Sequence, residues 1–149
     1  MASKVNRPKV GLGVYIVKDG KLLLLKRKGA HGDGSWCAPG GHLENGESFA
    51  ECAIREAEEE AGVKIDEIKV IGLTNDIFDA EKHYITIATI GKVISGEPKI
   101  MEIDKATDIG WFEFDNLPKP MFLPTQNLFL TEFDCLCGSG KKYKKCCGK

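Results

Sequence analysis

No stretch of this 149-residue chain approaches the length of a membrane span. The longest strongly apolar run near its start, Leu22 to Leu25, is bracketed by Lys21 and Lys26. The opening Met-Ala-Ser-Lys-Val-Asn-Arg-Pro-Lys has no apolar signal core, and together these absences predict a cytoplasmic protein with no membrane contact. Cysteine is scarce over most of the length. Cys37 and Cys52 stand apart and read as reduced packing residues, while the other four cysteines fall between Cys135 and Cys147. Proline is missing between Val63 and Gly96, the next being Pro98. What is present, 42% apolar residues and a formal net charge of −1, suits one ordinary domain with room for a small addition.

The coarse architecture follows from local signals. Val10 to Val17 and Lys21 to Arg27 are strand-like runs joined by Asp19-Gly20, a strong hairpin pair. Gly29 to Gly34 is a glycine-rich loop, and Trp36 to Ala38 reads as a short strand before Pro39-Gly40-Gly41. Ile68 to Phe78, His83 to Ile94 and Asp108 to Phe114 are further strands, and Thr125 can cap a last helix running through Phe133. Between them, Ser48 with Glu51 three residues on is a capping box, and Gly62 sits where a left-handed terminator belongs, so a helix is predicted from Phe49 to Ala61. Ala50, Ala53, Ile54, Ala57 and Ala61 give that helix one narrow, small-residue face for close packing on a sheet. The expected fold class is α/β, a mixed sheet between helices.

The remaining faces of the helix are what call for chemistry. Seven glutamates and a single arginine lie between Gly41 and Val63. Glu56 repels Glu59 and Glu60 at helical spacings of three and four, by a few tenths of a kcal/mol per pair. Glu58, Glu59 and Glu60 also occupy the last turns, where the helix dipole already presents negative charge. An acidic, solvated face is the ordinary explanation for such a helix. A divalent cation bound there would reverse both penalties, and magnesium commonly bridges protein carboxylates to a substrate's phosphates.

The spacing decides between these readings. Gly41, five residues, Glu47, seven residues, then Arg55-Glu56-Ala57-Glu58-Glu59-Glu60-Ala61-Gly62-Val63 resembles the complete signature of the Nudix hydrolases, and the resemblance extends over roughly Val10 to Phe133. It implies a Nudix-type α/β/α sandwich in which Mg²⁺, or Mn²⁺, is held against a diphosphate linkage that water cleaves. By the same resemblance Glu56, Glu59 and Glu60 match the metal ligands, with the carbonyl of Gly41 completing the set. Glu47 matches the acid that orients the signature arginine, here Arg55, and the general base is Glu59 or an acid outside the signature such as Glu102. Arg27 resembles a phosphate-binding arginine of MutT-like enzymes, and His42 stands where related pyrophosphatases touch phosphate. Trp36, Phe78, Tyr84, Trp111 and Phe112 are candidates for stacking on a base, though strand aromatics are usually core; Tyr84 and Phe112 are the preferred pair.

The missing proline now acquires a use. Nudix enzymes specific for ADP-ribose commonly carry a proline about sixteen residues past the signature, and dinucleoside polyphosphate hydrolases a tyrosine near there; this chain has Ala80 and Glu81 in that region, with Tyr84 slightly late. The resemblance therefore implies a nucleoside triphosphate pyrophosphatase, acting on canonical or oxidised nucleotides and releasing a monophosphate and pyrophosphate. An ADP-ribose or nucleotide-sugar pyrophosphatase, and a non-catalytic nucleotide-binding regulator recruited through its tail, are the alternatives. A homodimer is left open.

That tail is a second signal. Cys135-Leu136-Cys137 and Cys146-Cys147, separated by eight residues, resemble the SEC-C motif, which divides the chain into a Nudix domain over 1–133 and a zinc-binding motif over 134–149. Four thiolates, Cys135, Cys137, Cys146 and Cys147, satisfy Zn²⁺ completely and leave no open position, so the site would be structural. A segment this short cannot bury a core, and the metal would supply the folding energy. With no secretion signal, disulfides are the weaker alternative. Five lysines against one aspartate give residues 134–149 a formal charge of +4, which suits either docking to an acidic protein or nucleic acid, or a simple stabilising role.

Overall fold

The computed structural model describes residues 5–29, 31–131 and 133–148; Met1–Lys4, Ala30 in the glycine-rich loop, Glu132 and the tail's last lysine, Lys149, lie outside them. The elements in chain order are β1 (Lys9–Lys18), β2 (Lys21–Arg27), β3 (Trp36–Cys37), β4 (Gly40–His42), α1 (Phe49–Ala61), β5 (Lys64–Ile77), β6 (His83–Ser95), β7 (Ala106–Glu113) and α2 (Leu123–Leu130), followed by a 3₁₀ turn at Tyr143–Lys145. The strands form one mixed sheet in the order β3-β2-β1-β6-β5, with β4 paired to β1 and β7 to β2. Only the β1–β6 pair is parallel among these ladders, running from Lys9 opposite Tyr84 to Val17 opposite Lys92.

Both faces of the central strands are covered, which explains the unbroken Leu22–Leu25 run. Leu12, Val14, Ile16, Leu23 and Ile87 face one way and pack with Ala53, Ala57 and Ala61 of α1. Tyr15, Leu22, Leu24 and Ala88 face the other way and pack with Leu128 and Phe129 of α2. The result is the α/β/α sandwich. The small-residue stripe of α1 allows close approach to the sheet; Ala50, at its first turn, stays exposed. The capping box is complete, with Ser48 accepting from the Glu51 amide, and Gly62 ends the helix at φ 68°. Asp19 and Gly20 turn the first hairpin with φ of 51° and 72°.

One strand is added and two expectations are corrected. Gly40 and Gly41 carry no strand signal, yet they are strand: β4 adds to β1 through Gly41 opposite Leu12. A side chain at Gly40 would run into the Leu12 carbonyl, so the backbone approach itself requires glycine. The fifth strand begins at Lys64, four residues before Ile68, and breaks register between Asp66 and Lys69 around Glu67 at φ 55°; that bulge erases the alternation that would have marked it. Thr125 does not cap α2: Phe122 is the N-cap residue with no side-chain bond, Pro124 fits the first turn, and Thr125 is buried, accepting a hydrogen bond from the Tyr15 hydroxyl at 3.3 Å. The helix stops at Leu130, short of Phe133.

Candidate active site

The carboxylates of α1 open into a cleft of about 690 Å³ whose lining includes Gly41, Glu56, Glu59, Glu60, Glu102 and Arg27. β4 delivers Gly41 against the helix so tightly that a Cβ there would lie 2.7 Å from Glu56 Cδ, so any other residue would displace the Glu56 carboxylate. Gly40 N–H donates to Glu60 Oε2 at 3.2 Å. Glu56 is 7% exposed, and burial raises its pKa although Arg55 opposes the rise. Burial, with the charges of Glu56 and Glu102, lifts Glu60 further, to about 8, against the opposing Gly40 bond. Carboxylates held this unfavourably are what a cation would relieve. Hard oxygen donors and a backbone carbonyl on one wall fit Mg²⁺ or Mn²⁺. The three acids do not yet converge: Glu56 and Glu59 both accept from Arg55 Nη1, at 2.9 and 3.2 Å, while Glu60 accepts from the Gly40 amide.

Arg55 organises this wall. Its Nε and Nη2 grip Glu47 at 2.7 and 3.0 Å, a bidentate pair. Nη1 donates to Glu56 at 2.9 Å, and Nη2 also reaches the His42 carbonyl at 3.2 Å, tying α1 to β4. The Arg55 hydrogen bond holds the Glu47 carboxyl down to about 2, so Glu47 stays ionised and the clamp stays closed. A lysine cannot reproduce a fork shared among three carboxylates. Arg55→Lys is expected to lower kcat about 10- to 100-fold and to weaken Mg²⁺ activation with it, the loss typical of residues that orient metal ligands; a magnesium titration of activity checks this.

The far side of the cleft is aromatic. Phe78, Tyr84 and Phe122 line it together with His31, whose ring is 4.4 Å from Phe78 and 5.2 Å from Phe122 between centroids. Arg27 lies over the Phe122 ring at 4.0 Å while its Nε donates to the His31 carbonyl at 2.9 Å, so its charge is fixed between the aromatic recess and Glu60. Tyr84 hydroxyl and His42 Nε2 are 3.1 Å apart, linking the recess to β4. Glu102, an acid named as a possible base, is in the cleft and bonded to Lys105 at 3.0 Å.

Of the residues singled out from sequence, Glu47, Arg55, Glu56, Glu59, Glu60, Gly41, Arg27, His42 and Tyr84 are brought to this cleft or its supporting clamp. Phe112 is not. It pairs with Leu22, at the opposite end of β2 from Arg27, and packs edge-on against Trp36 at 4.9 Å within the α2-side core. Phe122 and His31 went unrecognised: Phe122 sits outside any periodic segment, immediately before the Leu-Pro of α2, and His31 lies in a glycine loop with no pattern to assign its direction.

The tail is built on the opposite-face core. The four sulfurs of Cys135, Cys137, Cys146 and Cys147 lie within 4.8 Å of one another, the only such cluster of metal-ligand atoms among the described residues. Zinc–thiolate bonds of about 2.3 Å require sulfurs about 3.8 Å apart; Cys137 and Cys146 are 3.5 Å apart, Cys146 and Cys147 3.9 Å. The chemistry and spacing fit Zn²⁺. Tyr143 stacks on Phe129 at 4.8 Å and on Phe133 at 5.2 Å, and its N–H donates to the Phe133 carbonyl at 2.9 Å. Cys135 and Leu136 are buried with them. The tail is thus packed against α2 rather than hanging free of it.

An α/β/α sandwich that sets an acidic loop and helix opposite a guanidinium and an aromatic recess defines a hydrolase scaffold for phosphorylated ligands. The NUDIX domain model matches residues 7–133 and the SEC-C motif model residues 134–149. The chain belongs to the Nudix hydrolases. It is 38% identical over 117 residues to an ADP-ribose pyrophosphatase of Methanocaldococcus jannaschii, covering 77% of this chain and 68% of that one. It is 31% identical over 106 residues to an oxidized purine nucleoside triphosphate hydrolase of Danio rerio, covering 70% and 66%. The crystal structure of a MutT NUDIX hydrolase from Burkholderia pseudomallei superposes with a TM-score of 0.77 at 35% identity, covering 81% and 95%. Longer relatives described as NAD-capped RNA hydrolases match at 33% over 113 residues, this chain spanning 38% of their length. No helix among the described residues is long and apolar enough to cross a membrane.

Proposed function

We propose that the chain is a Mg²⁺-dependent nucleoside triphosphate pyrophosphatase, converting a canonical or oxidised nucleotide to its monophosphate and pyrophosphate. The observation that carries the reading is a single cleft with carboxylates on one wall, aromatic rings on the other and Arg27 between them. A base stacked in the recess would run its phosphates past Arg27 and His42 toward α1. Glu56, Glu59, Glu60 and the Gly41 carbonyl would hold the metal, with Glu59 leaving Arg55 to do so. A divalent ion held by these residues would neutralise phosphate charge and acidify a water for in-line attack. Glu102 or Glu59 accepts the proton of that water as the bridging P–O bond breaks and pyrophosphate leaves. Glu47 and Arg55 hold the ligands in place throughout.

ADP-ribose is the second reading, favoured by the archaeal relative's 38% identity. Against it stands the absence of proline between Val63 and Gly96. The test is product identification after incubating the purified full chain with Mg²⁺ and, separately, canonical and oxidised nucleoside triphosphates, ADP-ribose and nucleotide sugars. Triphosphates are expected to turn over with kcat/KM at least about tenfold above ADP-ribose, a difference of about 1.4 kcal/mol in transition-state stabilisation. The reverse order would make the chain an ADP-ribose pyrophosphatase. No turnover of any compound would leave a nucleotide-binding regulator as the better account.

A further inference from the structure

The His31 imidazole carries hydrogen-bonding nitrogens into the recess and packs against three other rings: Phe78 at 4.4 Å, Phe122 at 5.2 Å and Tyr84 at 6.4 Å. Its Nδ1 lies 3.2 Å from Lys82 Nζ. Lys82 itself is fixed by the turn after β5, where Asp79 accepts from the amides of Glu81 and Lys82 at 2.8 Å each, and Phe78 N–H donates to the Lys82 carbonyl at 2.9 Å. An ammonium has no lone pair and can only donate. Nδ1 must therefore be the unprotonated nitrogen, and a neutral imidazole then carries its proton on Nε2. Burial, followed by the charges of Lys82 and Arg27, keeps the ring below the ordinary histidine pKa, so the neutral form prevails near pH 7. Among the described residues nothing accepts from Nε2, and the ring lines the cleft.

We propose that His31 is a specificity-determining residue of the base recess: Lys82 fixes its tautomer so that Nε2–H donates to a carbonyl on the nucleobase, favouring keto bases over amino bases. Guanine, hypoxanthine, uracil and thymine present an acceptor oxygen where adenine and cytosine present an amino donor. A fixed donor meets the first group with a hydrogen bond and the second with two donors face to face. The inference rests on the nucleotide reading of the cleft and narrows it from nucleotides in general to those with a keto base. Phe78 and Phe122 supply stacking that is indifferent to the base; the discrimination falls to His31.

The test uses monophosphates, so that base recognition is read without hydrolysis. Calorimetric or NMR titration of the full zinc-loaded chain with IMP and AMP, which differ at the 6-position, is expected to give IMP tighter binding by roughly threefold to tenfold, the range for one neutral hydrogen bond. His31→Phe keeps a ring in the recess and is expected to bring the ratio to about one. His31→Gln, which retains an N–H donor, recovers part of it, and Lys82→Met, which releases the tautomer, loses part of it. A ratio unchanged in His31→Phe, or AMP bound more tightly by the wild-type chain, overturns the assignment of His31 and leaves the nucleotide reading intact. If neither monophosphate binds and no nucleotide is hydrolysed, the nucleotide reading falls and His31 with it.

Discussion

Replacing Glu60 by glutamine is expected to abolish turnover while making the metal-free protein more stable, a pairing that a merely structural carboxylate would not produce. Glu60 shares its pocket with buried Glu56 and, among the described residues, has the Gly40 amide as its one hydrogen-bond partner. Its pKa in the folded chain is raised from 4.5 to about 8, mainly by burial. Below about pH 4.5 the group is neutral whether the chain is folded or not, and it costs nothing. Between there and pH 8 the unfolded chain ionises Glu60 freely and the folded chain does not, so stability falls as pH rises, by on the order of 2–4 kcal/mol. Glu47 works the opposite way, since its folded pKa of about 2 adds stability above the ordinary carboxylate range that is lost only as pH falls toward 2. Thermal unfolding without metal should therefore show a midpoint declining from pH 5 to pH 8, the decline flattened in Glu60→Gln. Added Mg²⁺ should restore the wild-type midpoint at pH 8 and not the variant's. Activity of Glu60→Gln and of Glu59→Gln should drop by about 10² or more, as for loss of a carboxylate that would hold the catalytic metal. A pH-independent midpoint, or activity surviving in both variants, would remove these residues from the metal site.

How legible this was depended on the range of the interaction involved. The α1 segment could be read residue by residue because everything that makes it is local: Ser48 and Glu51 close the box, Gly62 closes the end, and the alanines mark the packed face. The Arg55–Glu47 clamp followed from the signature's spacing, and the structure gives it bond lengths. Phe112 failed because the choice of base contact turned on register. A residue opposite Leu22 lies five positions along β2 from Arg27, roughly 17 Å at strand rise, and nothing in the composition of β7 says which end of it meets the cleft. His31 and Phe122 were missed for a related reason. They become neighbours only when the loop after β2 folds against the start of α2, a closure made by the Trp36–Met121 bridge and the Trp36 N–H to Pro120 bond. β5 lost its first residues to a bulge, and Gly40–His42 carries no strand signal because its glycines serve the close approach of two backbones.

Stripping zinc from the tail is expected to lower the unfolding midpoint of the whole chain, not just to unravel residues 134–148. The basic charge of the segment alone would suit a detachable docking element, for which metal loss should be silent in the Nudix core. The packing argues otherwise. Tyr143 stacks on Phe129, which also meets Tyr15 edge-on at 6.1 Å, and Tyr15 in turn donates to Thr125 at the wall of the cleft. Phe133 and Leu136 are buried in the same cluster as Leu128, Cys137 and Cys147 pack against it, and Cys135 is buried as well. Without a cation, four thiols crowded within 4.8 Å cannot ionise together: Ser139 draws Cys137 down to about 6, while burial holds Cys135 and Cys147 up. A metal held by these thiolates would contribute to the tail's folding, and release of the tail would expose Phe129, Phe133 and Leu136 at once. Losing the Tyr143 stack alone, in Tyr143→Ala, should cost about 2 kcal/mol, less than for a fully buried aromatic ring because Tyr143 is half-buried. Tyr143→Phe, which keeps both stacked rings, should cost less than about 1 kcal/mol. Metal analysis should find about one zinc per chain, lost in Cys135→Ser and retained in Cys37→Ser. Scanning calorimetry of the zinc-free chain should show one transition shifted down by about 5 °C or more, with a raised nucleotide KM because Pro124 and Thr125 of α2 form part of the cleft. An unshifted core transition with KM unchanged would instead make the tail an independent module whose exposed Lys141, Lys144 and Lys145 serve a partner.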